Sequence, residues 1–274
     1  MRMQCKVVIL SLGALAAAAS AQLEGKTCLS LRHPGASCLL SAANQLGMTT
    51  TDTVTEGNFY QKLSSQQWDL VIIDIPNDKF TILDKPQFVA AIQGWIADGG
   101  RLIFNLTNLD EYPELWTPLG IAGTVEHTEP YEISARPPGN PLFSGGVGGF
   151  GFDAWDDNGD DLLMLPGGLE CLYFEKPGLP TASVIYNARR TVCNGFDNES
   201  LSAASVPYLA QIQYVFSCHG DFDKDTSLTF FDFLTFINSF FSFQPRFCNV
   251  NFDTAVDLFD FTEFQSLFIQ GCKE

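Results

Sequence analysis

A short acidic pattern written twice near the C-terminus constrains this chain more than any other feature. Asp221, Asp223, Asp225 and Asp232 stand at positions 1, 3, 5 and 12 of one twelve-residue stretch. Asn249, Asn251, Asp253, Asp257 and Asp260 stand at positions 1, 3, 5, 9 and 12 of a second, 28 positions further on. Oxygen side chains on alternate residues of a tight loop converge on one point, and a cation of calcium's size takes six to eight oxygens at about 2.3–2.6 Å. Position 7, Ser227 in one loop and Ala255 in the other, needs to offer only its backbone carbonyl. These residues together form the predicted Ca2+ ligand set. Position 8 is apolar in both stretches, Leu228 and Val256, as a short two-stranded contact between paired loops requires. Asp and Asn also favour plain solvated turns, but a turn gives no reason for the same spacing to recur.

Each loop runs into a helix through a shared phrase, Phe231-Asp232-Phe233 and Phe259-Asp260-Phe261, followed in register by Phe236 and Phe264. A repeated loop-helix unit ending in Asp at position 12 resembles the dockerin type I module. The resemblance implies a small all-α tandem F-hand module over 218–274, with two calcium sites packed antiparallel, folding on metal and docking to a protein partner by its helix faces. Position 6, which is normally Gly so that the loop can turn through positive φ, is Thr226 in one loop and Thr254 in the other. This departure weakens the expected metal affinity, and the carboxylate-richer first loop is expected to be the tighter site. Phe230, Phe231, Phe233, Phe236, Phe240, Phe241 and Phe243 crowd one helix and its exit, more than one helical face can bury.

At the other end, residues 1–21 carry Arg2 and Lys6, an apolar run from Val7 to Ala18, and then Ala19-Ser20-Ala21. That is the pattern of an export signal with a small-residue cleavage site, so the protein is expected outside the cytoplasm, secreted or in the cell envelope. No later stretch approaches the 18 or so apolar residues of a membrane span. The formal net charge of −17 argues against a nucleic-acid partner, because that binding rests on Lys and Arg neutralising phosphates, and it favours a cation. In an exported chain disulfides persist, and the expected pairings are Cys28 with Cys38, Cys171 with Cys193, and Cys218 with Cys272, leaving Cys248 over.

Residues 22–217 are long enough for one domain with its own core. Thr27–Leu31, Thr50–Val54, Asp69–Ile75 and Arg101–Leu106 read as strands, and Ser37–Leu46, Asn58–Ser64 and Pro86–Ala97 as helices between them. Strand and helix in alternation imply an α/β fold, a three-layer doubly wound mostly parallel sheet. The stretch from Trp68 to Leu119, with its apolar strand, helix, Gly99-Gly100 and second strand, is similar to the class I glutamine amidotransferase-like fold. The stretch from Ala182 to Phe196 is similar to the closing strands of its secreted relatives. That family implies a nucleophilic Cys at the sharp turn after a central strand, with His and an acidic residue beside it. Here the strand is followed by Asn105-Leu106-Thr107-Asn108, so the nucleophile is missing.

Nothing else assembles a reaction centre. His33, His127 and His219 lack zinc-ligand spacing, and a thiol nucleophile would need to escape pairing. Asp156, Asn158 and Asp160, in the cluster after the Gly-rich run 145–151, could hold a further cation, though such clusters are more often solvated loops. The sequence thus predicts a secreted calcium-binding protein with an attachment module and a non-catalytic α/β domain serving binding or assembly. Its rival is an extracellular, polysaccharide-related hydrolase with an unrecognised site.

Overall fold

Strand β3 (Leu70–Ile75) is the axis of the first of two compact units, and all of its residues are buried. A continuous Leu-Val-Ile-Ile run has no polar face to offer water, so it sits where both sheet faces are covered. The computed structural model describes residues 23–36, 38–75, 82, 84–106, 108–127, 131–134, 159–196, 205–222, 227–242, 250 and 255–271. The first unit lies within Met1–Ser134 and Gly148–Val215, and the second within Ala135–Val147 and Phe216–Glu274. The expected export segment, residues 1–21, falls outside the described residues. Among those residues no helix is long and apolar enough to cross a membrane.

Strands β1 (Thr27–Arg32) and β4 (Leu102–Leu106) flank β3 in parallel, with Leu29 opposite Val71 and Ile72 opposite Ile103. Outside them, also in parallel, lie β2 (Thr49–Thr53) against β1 and β10 (Thr191–Asn194) against β4. The chain steps from β1 outward to β2 and then back past β1 to β3. Right-handed crossovers therefore put α1 (Cys38–Gln45) on one face of the sheet, and α2 (Glu56–Leu63) and α3 (Lys85–Ala97) on the other. The packing follows: Phe59 of α2 with Phe88 and Ile92 of α3 close over Leu29, Leu31, Val71, Ile73 and Phe104. These strand residues are the alternate ones that share a face. Helix α3 starts where its sequence says it should. Asp84 caps it by accepting from the Gln87 N–H at 3.0 Å, with Pro86 in the first turn, and it stops before Gly99 at φ 77°.

The sheet is less parallel than the alternation implied. Strand β9 (Thr181–Tyr186) runs antiparallel to β10 and to β8 (Leu169–Phe174), and through Thr181 it meets β7 (Gly159–Met164). Strand β7 pairs antiparallel with β5 (Ile121–His127), and β6 (Ile133–Ser134) with β8. The described sheet is thus a mixed ten-stranded one. The physical reason is the Asn187–Arg190 link between β9 and β10, too short for a crossover helix, so the two strands must be antiparallel. Asn187, Ala188 and Arg189 hold φ of 50°, 51° and 65°, a left-handed conformation that costs an L-residue roughly 1–2 kcal/mol. Asn187 anchors the turn by donating from Nδ2 to the carbonyl of Pro118, in α4 (Pro113–Leu119), at 2.7 Å and to Thr191 Oγ1 at 3.1 Å.

Two of the expected disulfides are absent. Cys28, Cys38, Cys171 and Cys193 carry thiols and are buried, Cys28 on β1 and Cys193 on β10 within the sheet. Cys218 is disulfide-bonded, and Cys272, its expected partner, lies outside the described residues. Asp160, weighed as a cation ligand but expected rather in a solvated loop, instead sits in β7 with 2 % exposure, its N–H donating to the Gly195 carbonyl at 2.6 Å. Asp156 and Asn158 lie outside the described residues.

Candidate metal centre

The second unit contains α6 (Phe230–Phe241) and α7 (Leu258–Gln270), both of which open on the same device. Thr229, position 9 of the first repeat, caps α6 by accepting from the Phe231 N–H at 3.1 Å. Asp257, its counterpart, caps α7 by accepting from the Phe259 N–H at 2.8 Å. Position 12 then reaches back in each case. Asp232 accepts from the Phe222 N–H at 2.7 Å with Oδ1 and from the Thr229 N–H at 2.7 Å with Oδ2. Asp260 accepts from the Val250 N–H at 2.6 Å with Oδ1 and from the Asp257 N–H at 2.9 Å with Oδ2. Each carboxylate therefore ties positions 2 and 9 of its own loop to its own helix, a capping box extended by one further amide.

The packing beneath repeats as well. Phe236 and Phe264, equivalent by the offset, stack with centroids 4.1 Å apart and planes inclined by 7°. Around them Val250 and Leu267 are buried, with Phe222, Phe233, Phe240, Phe261 and Phe268 partly so. Large aromatics are thus the core of this small unit, but not all of them: Phe230, Phe231 and Phe241 are 65–71 % exposed. Phe243 lies outside the described residues.

Of the predicted ligands, Asp223, Asp225, Asn249, Asn251 and Asp253 fall outside the described residues, as do Thr226 and Thr254. The described ones behave differently from one another. Ser227 and Ala255 are exposed, as positions lending only a carbonyl can be. The Asp221 N–H closes a turn onto the Cys218 carbonyl at 3.2 Å. Asp257 spends Oδ1 on the helix cap, a duty its place in the repeat did not announce. Asp232 and Asp260 are wholly buried, and a buried carboxylate must be met by hydrogen bonds or a cation. Each offers about four lone-pair directions, so two amide bonds and a cation are compatible, and hard oxygen donors suit calcium. Among the described residues no three His, Cys, Asp or Glu side chains gather as a metal set.

In the first unit the carboxyl edge of the parallel strands is where a doubly wound sheet takes ligands. Register aligns Arg32, Asp74, Asn105, Asn194 and Ser183 in one row across β1, β3, β4, β10 and β9. The row is tied down rather than open. Arg32 clasps Asp52 at 2.8 and 2.7 Å and gives Nη1 to the carbonyls of His33, Pro34 and Ala36. The Asn105 amide lies 3.4 Å from Asp74 Oδ1, and both residues are buried. Asn194 exchanges bonds with Gln211 of α5 (Ser205–Phe216) at 3.1 and 2.8 Å and accepts from Ser183 at 2.7 Å.

Strand β4 ends at Leu106, and Thr107, in the stretch after it that offered no Cys or Ser, lies outside the described residues. The thiols elsewhere are protected. Burial pushes the Cys171 thiol up to about 12, against the smaller opposing effect of its hydrogen bonding with Ser183 and Gln211, and raises Cys28 and Cys193 further. A thiol so held is not a thiolate nucleophile. His33 accepts the Gly35 N–H on Nδ1 at 3.2 Å, which places a neutral ring's proton on Nε2.

No family model and no curated protein matches this sequence. Solved structures similar to it include a glutamine amidotransferase from Thermotoga maritima, 10 % identical, covering 64 % of this chain and 76 % of that one with a TM-score of 0.44. Another is a glutamine amidotransferase from Methylobacillus flagellatus, 12 % identical, covering 64 % and 69 % with a TM-score of 0.39. The protein SMU.1228c is 12 % identical, covering 64 % and 77 % with a TM-score of 0.42. Likeness at this level assigns no residue a role.

Proposed function

We propose that this is an exported calcium-binding protein whose C-terminal tandem repeat is a dockerin-like attachment module. The amidotransferase-like α/β domain ahead of it, without a nucleophile, serves binding or assembly. The observation that carries this reading is the duplicated device of Asp232 and Asp260, each a buried carboxylate holding positions 2 and 9 of its own twelve-residue loop. A solvated turn has no need to bury its last aspartate, whereas a loop built to converge oxygens on a cation does. Docking to a protein partner draws support from exposed apolar residues at equivalent helix starts, Phe230 with Phe231 and Leu258 with Phe259, each 65–70 % exposed. Rigid aromatics of that kind make interface anchors.

The test is calorimetric calcium titration of the full chain beside Asp223→Ala/Asp225→Ala and Asn251→Ala/Asp253→Ala, which spare the helix-holding aspartates. Two binding events lost loop by loop, with a melting temperature that falls in chelator, are expected. Metal that binds only the folded state adds about 2.7 kcal/mol at a hundredfold excess over Kd. No heat and no chelator shift would leave the repeat a purely structural tail.

A further inference from the structure

The two repeats are not packed symmetrically at position 2, and the difference makes a bridge. Phe222, held through its N–H by Asp232, sets its ring edge-on against Phe236 of its own repeat at 5.3 Å centroid distance and against Phe264 of the other at 5.0 Å. Val250, its counterpart, is held in the same way by Asp260 but carries no ring to set against the stacked pair. Phe264 stands one turn after Asp260 on α7, and it stacks on Phe236, one turn after Asp232 on α6. A continuous chain of contacts thus runs from the carboxylate of the first loop, through one backbone amide and one ring, to the helix that carries the carboxylate of the second.

We infer that Phe222 couples the two loops, so that ordering one loop stabilises the other. A ring wedged against both members of a stacked pair has few alternative positions, because a packed core admits discrete arrangements rather than a continuum. Fixing the Phe222 amide fixes the ring, and the ring fixes the entry of α7. Equilibrium coupling is reciprocal, so disturbance of the second loop must reach the first equally. For metal binding, the inference rests on the calcium reading above. As a property of the fold it stands without metal.

Amide hydrogen exchange in the full chain tests it directly. The reporters are the N–H groups of Val250 and Asp257, which Asp260 holds, compared across wild type, Asp232→Asn, Phe222→Leu and the double variant. With Phe222 present, Asp232→Asn is expected to speed exchange at both reporters about tenfold or more. With Leu at 222, the same change is expected to matter less than threefold. Reporters that stay within twofold of wild type in Asp232→Asn, or an equal effect in both backgrounds, would overturn the coupling. Should Asp232→Asn unfold the module outright, Phe222→Leu alone decides: coupling requires the amides held by Asp232 and by Asp260 to loosen together, and loosening confined to the first loop refutes it. Calcium titration separates the two ideas. Heat in the wild type with the affinity of the second site unmoved by Phe222→Leu sinks the coupling and leaves the calcium reading standing. No heat in the wild type sinks the calcium reading, and the exchange result then judges the coupling alone.

Discussion

Gln211→Leu should destabilise the first unit even though it replaces a buried polar side chain with an apolar one of similar size. Gln211 of α5 is fully buried and makes three bonds to the sheet: it accepts from Asn194 Nδ2 at 3.1 Å and donates to Asn194 Oδ1 at 2.8 Å and to Ser183 Oγ at 3.2 Å. With leucine in its place Asn194 Oδ1 keeps the Ser183 hydroxyl at 2.7 Å, and Ser183 Oγ keeps the Cys171 thiol at 3.0 Å. The Asn194 Nδ2 donor loses its acceptor in a side chain that is wholly buried. A buried donor stranded in this way costs about 1–3 kcal/mol. At about 2–4 °C per kcal/mol for a domain of this size, the central expectation is a drop of about 4–8 °C in the melting temperature. Removing the partners as well, in Ser183→Ala/Asn194→Leu/Gln211→Leu, should recover more than half of the loss, since deleting a whole polar group set is cheaper than stranding one member. Urea and thermal unfolding followed by near-ultraviolet circular dichroism measure both. A Gln211→Leu protein as stable as wild type would show that the cluster does not clamp α5 to the sheet, and a triple variant weaker than the single one would refute the stranding argument.

The acid limb of the stability curve should depend on Asp69. Burial works to raise its carboxyl, but the Thr27 N–H and hydroxyl and the Lys26 ammonium prevail and hold it below its ordinary value of 3.8. A depressed carboxyl contributes stability that is present above the ordinary value and lost as pH falls through the folded one. Asp69→Asn should therefore flatten the fall of the urea midpoint below about pH 4, and an unchanged slope would contradict this. The buried thiols of Cys28, Cys171 and Cys193 should resist iodoacetamide at pH 8 in the folded protein and react only after denaturation, counted by mass spectrometry. Rapid labelling of any of them in the native state would show that its burial is breached.

The parallel half of the sheet was legible because each of its signals was local. Leu-Val-Ile-Ile admits only a doubly covered strand, and Pro86 and Gly99-Gly100 mark both ends of a helix whose inner face includes Phe88 and Ile92. The antiparallel half was not, because its decisive turn breaks the sequence rule. Asn187-Ala188-Arg189-Arg190 has no glycine, so nothing announced three residues at positive φ or the hairpin they close. Two of the three cysteine pairings failed for a related reason: spacing along the chain says nothing of depth, and Cys193 with Cys28 lies inside the sheet. The repeat announced which residues are equivalent in its two halves, but not that Asp257 would cap a helix or that Asp232 and Asp260 would hold amides. Those duties are set by where the helix begins, and that follows from the capping box, a four-residue pattern hidden inside the twelve-residue one.

The place of β10 in the sheet also sets the order in which the chain can fold. Its partner β4 ends at Leu106, yet β10 begins only at Thr191. As the chain emerges from its N-terminus, β1 to β4 can pair among themselves with short crossovers, while the far side of β4 waits for a strand many residues away. That side is an apolar edge with unmet amides and carbonyls, the kind of surface through which chains aggregate. Contacts of such long sequence separation form slowly. The vulnerable interval in the life of this molecule is therefore the wait between the fourth strand and the tenth, and a substitution that delays the β9–β10 hairpin should lower the yield of refolded protein before it lowers the stability of the finished fold.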